Sequence, residues 1–241
     1  MQFYFIRHAQ SANNALWDAT QSSKGRSYDP ELTPTGVRQA EYLARFLARQ
    51  SDLALPAHSR DPKNLAGFNL THLYCSLMLR AVQTGSIVAE ATRLPLNAWI
   101  DAHEEGGLYL DDEETGERLP KPGYTRALFA EHYPLLRLPE NFGEEGWWNR
   151  PFEEFEEREV RAAGFLADLL EKHGDTDDRV AVISHGGFYN LLINAILKWG
   201  AGQNLWFSMN NTAITRIDFS KDEIAVVYMN RTDHLPDEFI T

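Results

Sequence analysis

The chain has 241 residues, 43% of them hydrophobic and 12% aromatic, which is enough to bury a sizeable core and excludes an intrinsically disordered polypeptide. Its formal net charge of -12 argues against nucleic acid or an anionic membrane as partner. The single cysteine, Cys75, rules out an intrachain disulfide; no apolar stretch approaches the roughly 20 residues of a membrane span, and no basic n-region precedes the first strand, so a cytoplasmic location is expected.

In chain order, the apolar run Phe3-Tyr4-Phe5-Ile6 stops at Arg7-His8. Such a run fits a buried strand. An Arg and a His have no place in the middle of a buried parallel strand, so they belong at its carboxyl end, where open α/β sheets hold ligands. Ala9 to Asn14 is small and polar, as a loop hugging a ligand would be, and residues 15–32 read as polar and irregular. Thr33 caps a helix with Pro34 in its first turn; Val37, Ala40, Leu43, Ala44 and Leu47 follow at helical spacing. Residues 50–70 read as a surface excursion. Leu70 to Cys75 is a second strand, leading through Ser76 to Arg80 and a helix over about 80–93. Leu96 to Ile100 is a third, breaking into Asp101-Ala102-His103-Glu104-Glu105-Gly106-Gly107.

Residues 105–151, with acidic runs, Gly and Pro punctuation and the pair Trp147-Trp148, read as an insertion over the sheet edge with a short helix near 125–132. A long helix over about 152–172 is expected to turn Phe155, Val160, Ala163, Leu166, Leu169 and Leu170 inward. Arg179 to Ser184 is the clearest parallel-type strand; it ends in His185-Gly186-Gly187, and a helix runs on to about Trp199. Strands over 212–219 and 224–230 and a polar tail close the chain. Strands alternating with helices predict an α/β fold: a three-layer α/β/α sandwich with a mostly parallel central sheet, one domain over 1–241 with an inserted lid at about 105–151.

Four apolar strands thus end in groups suited to phosphate chemistry: Arg7-His8, Arg80, His103-Glu104-Glu105 and His185. As parallel neighbours they would converge on one crevice. Two imidazoles and two guanidiniums repel one another until a dianionic phosphoryl group joins them. Arg7 and Arg80 can grip its oxygens with forked, charge-assisted hydrogen bonds. Their charge also holds His8 neutral and nucleophilic. Glu104 or Glu105 is placed to protonate the leaving alkoxide and then to take a proton from water. A metal centre built from His8, His103, His185 and a carboxylate is disfavoured, because paired arginines compete with a cation. His72 and His103 read as structural and Glu153–Glu159 as a solvated helix face. Trp147-Trp148 suits packing or a pocket wall; Asn211 suits either role.

Arg7-His8-Ala9-Gln10-Ser11 through Asn14, Leu32-Thr33-Pro34-Thr35-Gly36-Val37-Arg38-Gln39-Ala40, Ser76 through Arg80-Ala81-Val82-Gln83-Thr84, and Ser184-His185-Gly186-Gly187 resemble, in order, the signature blocks of the histidine phosphatase superfamily, which includes the phosphoglycerate mutases. The resemblance spans residues 3 to about 217. It implies that His8 is the phosphorylated nucleophile, that Arg7, Arg80 and His185 form the phosphate pocket, that Asn14 is an accessory phosphate or loop contact, and that Gly186 is a further substrate contact. The family's acid follows a Leu-x-Glu pattern; Ala102-His103-Glu104 fits with Ala for Leu, which favours Glu104 over Glu105. Mutases carry Glu-Arg-His-Tyr-Gly at the acid, whereas this chain has Glu104-Glu105-Gly106-Gly107-Leu108-Tyr109, which favours the phosphatase branch. Ala9 replaces the commoner Gly.

The resemblance therefore implies a phosphomonoester hydrolase of the histidine acid type, with His8 as phosphohistidine and Glu104 as general acid and base. It implies a small phosphorylated substrate and no metal or organic cofactor; oligomeric state is unknown from sequence. Alternatives are a mutase-like phosphoryl transferase and a non-catalytic relative that only binds a phosphorylated ligand. Residues 15–32 and 105–151 are expected to set specificity.

Overall fold

The apolar run at the amino terminus is strand β1 (Gln2–Arg7), with Phe3, Tyr4, Phe5 and Ile6 fully buried. The computed structural model describes residues 1–53, 60–140, 142–148, 150–198 and 205–241. Its other strands are β2 (His72–Cys75), β3 (Leu96–Ala98), β4 (Tyr109–Asp111), β5 (Arg118–Pro120), β6 (Leu136–Arg137), β7 (Arg179–Ser184), β8 (Ile214–Phe219) and β9 (Ile224–Arg231). The helices are α1 (Ala12–Thr20), α2 (Pro34–Leu47), α3 (Leu79–Thr92), α4 (Arg126–His132), α5 (Phe155–His173) and α6 (Gly186–Leu197). Among the described residues, seven strands form one sheet in the order β6-β3-β2-β7-β1-β8-β9. The pairs from β6 to β1 are parallel, and β8 and β9 add an antiparallel edge.

Strand alternation sorts the core into two faces. Tyr4 and Ile6 of β1 and Ala181 and Ile183 of β7 pack with Leu43, Ala44 and Leu47 of α2 and Val82 and Val88 of α3. Phe3, Phe5, Val180 and Val182 face the other way, against Phe165 and Leu169 of α5 and Phe188, Leu192 and Ile193 of α6. The fold is the expected α/β/α sandwich. Each fully buried Phe, Leu or Ile contributes roughly 1.5–3 kcal/mol, so these two faces hold the sheet rigid under the site.

Four expectations need correction. Residues 15–32 are not wholly irregular: α1 begins at a capping box, with Asn14 Oδ1 accepting from the Ser11 amide at 3.1 Å. None of its residues is buried, so it has no apolar stripe to read. The segment 105–151 supplies the edge strand β6, as well as the β4–β5 hairpin and α4. Of the two roles left open for its tryptophans, Trp148 takes packing, being 1% exposed, whereas Trp147, 7% exposed, packs in the core and also lines a second cavity with Trp99 and Arg150.

The inward face of α5 is also rotated from the expected one. Phe155 and Val160 are 58% and 74% exposed, while Arg161, Ala162, Phe165, Leu169 and His173 are buried. Glu153 is the physical cause. It is buried rather than solvated, and its carboxylate takes a bidentate pair from Arg161, drawing that arginine into the core position. The helix after β7 is described to Leu197; its expected end at Trp199, and part of the 50–70 connection, lie outside the described residues.

Candidate active site

Strand register assembles the site. Arg7 pairs with Ser184, Cys75 with Ile183 and Cys75 with Ala98, so β1, β7, β2 and β3 end nearly level. The loops and helix starts beyond those ends meet over one crevice, as expected for a parallel sheet. The His8 and His185 rings lie 5.1 Å apart, and Arg80 Nε is 3.0 Å from His8 Nε2. Arg7, His8, Asn14, Arg80, Glu104 and Gly186 line one cavity of about 510 Å³.

His8 is held in one tautomer. Its Nδ1–H donates to the Ala9 carbonyl at 2.7 Å, which leaves the Nε2 lone pair to accept from Arg80. Burial pushes its pKa well below the ordinary histidine value, and the Arg80 and Arg7 charges push it the same way. The ring is therefore neutral. The arginines, expected from the sequence to be the main cause, come second to burial.

Two other donors end without acceptors. Arg7 gives Nη1 to the Met209 carbonyl, but its Nε is buried and unpartnered. Ser76 Oγ accepts from the Met78 amide and sits 2.9 Å from His185 Nε2. With Ser76 donating to Nε2, the His185 proton is on Nδ1, which is buried and has no partner among the described residues. A buried donor left so costs about 1–3 kcal/mol, a cost an anionic oxygen in the crevice would remove.

Glu104 reaches the same crevice from the segment after β3. Its carboxylate accepts from the amides of Gly187 at 3.2 Å and Phe188 at 2.9 Å, in the first turn of α6. The second glycine of Ser184-His185-Gly186-Gly187 makes room for it: a Cβ on Gly187 would lie 2.5 Å from Glu104 Oε1. Glu105 lines the cavity too, held by Arg158 Nη1 at 2.6 Å. Its pKa is raised by burial, then by the Glu104 charge. Gly106 and Gly107 turn away with φ of +80° and +77°, and a Cβ on Gly107 would strike the Trp148 ring.

The remaining block residues shape the loop that carries His8. Gln39 Oε1 accepts from the Gln10 amide at 2.7 Å, and Thr33 donates its amide to the Gln10 carbonyl at 3.0 Å. A Cβ on Gly36 would lie 2.1 Å from that carbonyl, so only glycine permits the approach. Thr84 Oγ1 accepts from the Ala9 amide and donates to the Arg80 carbonyl, tying the backbone beside His8 to that of Arg80. Asn211 Nδ2 donates to the His8 carbonyl at 2.9 Å and to Asn14 Oδ1 at 3.3 Å. The Asn14 oxygen is thus committed to the loop.

Two contributors were not foreseen. Asp29 is buried with Oδ1 accepting from the Leu79 amide at 2.9 Å, one residue before Arg80, and burial pushes its pKa up to about 7. The cavity mouth comes from Trp206, Phe207, Ser208, Met209 and Asn210 rather than from residues 15–32. Among the described residues of 105–151, only Glu105 lines it.

No curated protein matches this sequence. Solved structures do. Phosphoserine phosphatase of Entamoeba histolytica, bound to 3-phosphoglyceric acid, matches with a TM-score of 0.60 at 20% identity over 98% of this chain and 99% of that one. A putative alpha-ribazole-5'-P phosphatase of Escherichia coli matches at 0.61 and 19% identity, covering 96% and 97%. A mycobacterial glucosyl-3-phosphoglycerate phosphatase with VO3 matches at 0.59 and 17%, covering 96% and 99%. At such identities the likeness shows a shared fold. The sequence profile of the histidine phosphatase superfamily (branch 1) matches residues 3–60 and 57–232, and the chain belongs to this superfamily, whose enzymes hydrolyse or transfer phosphoryl groups.

Proposed function

We propose that this protein is a phosphomonoester hydrolase that works through a phosphohistidine on His8, with Glu104 as general acid and base. The observation that carries the reading is the state of His8: neutral, with Nδ1 tied to the Ala9 carbonyl and Nε2 free to attack once Arg80 turns to a phosphate oxygen. Arg7 Nε and His185 Nδ1 supply two further donors for that group. Asn14 Nδ2 and the Gly186 amide are proposed as additional contacts.

In the first step Nε2 bonds to phosphorus and the ester P–O bond breaks, with the electron pair leaving on the alkoxide. Glu104, protonated, gives that oxygen its proton. The guanidiniums and His185 hold the charge on the equatorial oxygens. In the second step water attacks phosphorus, Glu104 takes its proton, the P–N bond breaks, and inorganic phosphate leaves with His8 neutral again.

The turn at Gly106-Gly107 supports hydrolysis over mutase chemistry. The chain after the acid folds beneath Trp148 and Phe152 and, among the described residues, brings no further basic group to the cavity. Two of the structural relatives are phosphatases, of phosphoserine and of glucosyl-3-phosphoglycerate, and the third is a putative alpha-ribazole-5'-P phosphatase; we extend their common class to this chain: a small organic phosphomonoester. The test is acid-free quenching of turnover on a radiolabelled phosphomonoester. A base-stable, acid-labile label on His8, absent from His8→Ala, is expected; unimpaired turnover by His8→Ala would refute the mechanism.

A further inference from the structure

At the end of the sheet opposite the crevice, three side chains from three separate elements come together. His72 opens β2, His173 ends α5, and Asp178 immediately precedes β7. His173 Nδ1 lies 2.8 Å from Asp178 Oδ2, and His72 Nδ1 lies 3.7 Å from Asp178 Oδ1. The three residues each bring one donor atom within 4.8 Å of the others, and the two imidazole centroids are 4.6 Å apart. The geometry points to a divalent transition-metal site, for Zn²⁺ first, held by His72, His173 and Asp178.

Donor chemistry and spacing support this. Two imidazoles and one carboxylate form a borderline donor set, preferred by Zn²⁺ over Mg²⁺ or Ca²⁺. With Zn–N and Zn–O distances near 2.0–2.1 Å, tetrahedral coordination sets its ligands about 3.3 Å apart. The observed separations run to the two different oxygens of Asp178: the 2.8 Å contact is a hydrogen bond from His173 Nδ1 that an ion would displace, the 3.7 Å one leaves room for it, and one ligand atom from each residue already lies within 4.8 Å of the others. The far side of His173 is prepared as well. Its Nε2 is 3.1 Å from Tyr74 Oη. With the proton on Nε2 donated to that oxygen, Nδ1 carries the lone pair a metal needs, as ligating histidines ordinarily require. His173 is 5% exposed, whereas His72 and Asp178 are 38% and 24% exposed, so an ion can enter from solvent and keep water as its fourth ligand. Once bound, it would clamp the end of α5 to the starts of β2 and β7.

The experiment is a Zn²⁺ titration of the chelator-stripped full chain by calorimetry, paired with Co²⁺ absorption spectra as a report of tetrahedral ligation. One ion per chain is expected. His72→Ala and Asp178→Asn should each weaken binding about 10-fold or more, and Tyr74→Phe, which leaves all three ligands in place, by about 10-fold. Zn²⁺ at about 100 times its Kd should raise the Tm by about 5–10 °C, since it binds only the folded chain. Far-UV circular dichroism checks that each variant folds. Failure of the wild type to bind would overturn the inference. So would unchanged binding by a folded His72→Ala, or loss of binding in His8→Ala with retention in His72→Ala, which would place the ion in the catalytic crevice.

Discussion

Asp29 gives a test of how burial beside Arg80 tunes the protein. Its Oδ2 is buried without a partner, and Oδ1 holds only the Leu79 amide. Burial raises its pKa from 3.8 to about 7, against the opposing pull of Arg80. The folded chain therefore binds this proton more tightly than the unfolded chain does. The contribution favours folding at acid pH and is lost as pH rises through the folded pKa. At roughly 1.4 kcal/mol per pKa unit, the whole shift is on the order of 4 kcal/mol, and roughly 2–3 kcal/mol of it falls between pH 5 and 8. Asp29→Asn keeps the shape but cannot ionise. Urea unfolding of both proteins at pH 5, 6, 7 and 8 isolates the group, because the other titrations cancel in the difference. The wild type should lose roughly 2–3 kcal/mol relative to the variant across that range. Parallel stability curves would show that Asp29 ionises as an ordinary carboxyl and would refute the assignment of a buried, protonated acid.

The site itself makes three further predictions. Glu104→Gln should lower kcat about 10²–10⁴-fold on alkyl phosphates and less on aryl phosphates, whose phenolate leaves without a proton; Glu105→Gln should leave kcat within about an order of magnitude. Steady-state kinetics on both ester types decides, and the reverse ranking would move the acid to Glu105. Because burial holds His8 far below the ordinary histidine pKa, His8 should stay neutral, with its C2 proton shift unchanged by NMR, as pH falls below 6.5; a titration midpoint near 6.5 would contradict the buried geometry. Gly36→Ala should destabilise by about 1–3 kcal/mol or more in urea, because the new Cβ would stand 2.1 Å from the Gln10 carbonyl, which anchors the His8 loop; a neutral substitution would show that α2 can retreat from the loop.

Much of this arrangement could be read from residue order. Apolar runs that end in Arg7-His8, Cys75-Ser76 and Ser184-His185 announce parallel strands with polar carboxyl ends, and β1, β2 and β7 form as read. The signal fails where a polar side chain does core work. Arg161 occupies an inward position because the Asp101 and His103 carbonyls and the Glu153 carboxylate await it there, and a hydrophobicity pattern cannot register that demand. It also fails for α1, which buries nothing. The cavity mouth at 206–210 was invisible for another reason: it gathers by tertiary approach of a loop without periodicity. Gly36, Gln39 and Thr84 were legible as block members, but their work, holding the backbone of residues 9 and 10, appears only in three dimensions.

The acidic side of the crevice shows why an overall charge of -12 is compatible with binding an anion. Three nearby carboxylates are matched: Glu153 by Arg161, Glu105 by Arg158, and Glu104 by the two amides at the start of α6, while a fourth, Asp29, has its pKa raised by burial to about 7. Arg7 and Arg80, by contrast, have no carboxylate within ion-pair distance among the described residues. Arg7 gives one nitrogen to a neutral carbonyl, and Arg80 gives its Nε to a neutral imidazole. Charges more than about 8–10 Å away are largely screened at physiological salt, so the exposed acids elsewhere weigh little at phosphorus. The two guanidiniums supply the positive field in the crevice, and the Glu104 carboxylate, whose charge acts on both, opposes them. The α5 arginines serve that field indirectly, by neutralising Glu105 and Glu153 before either can compete for Arg7 or Arg80.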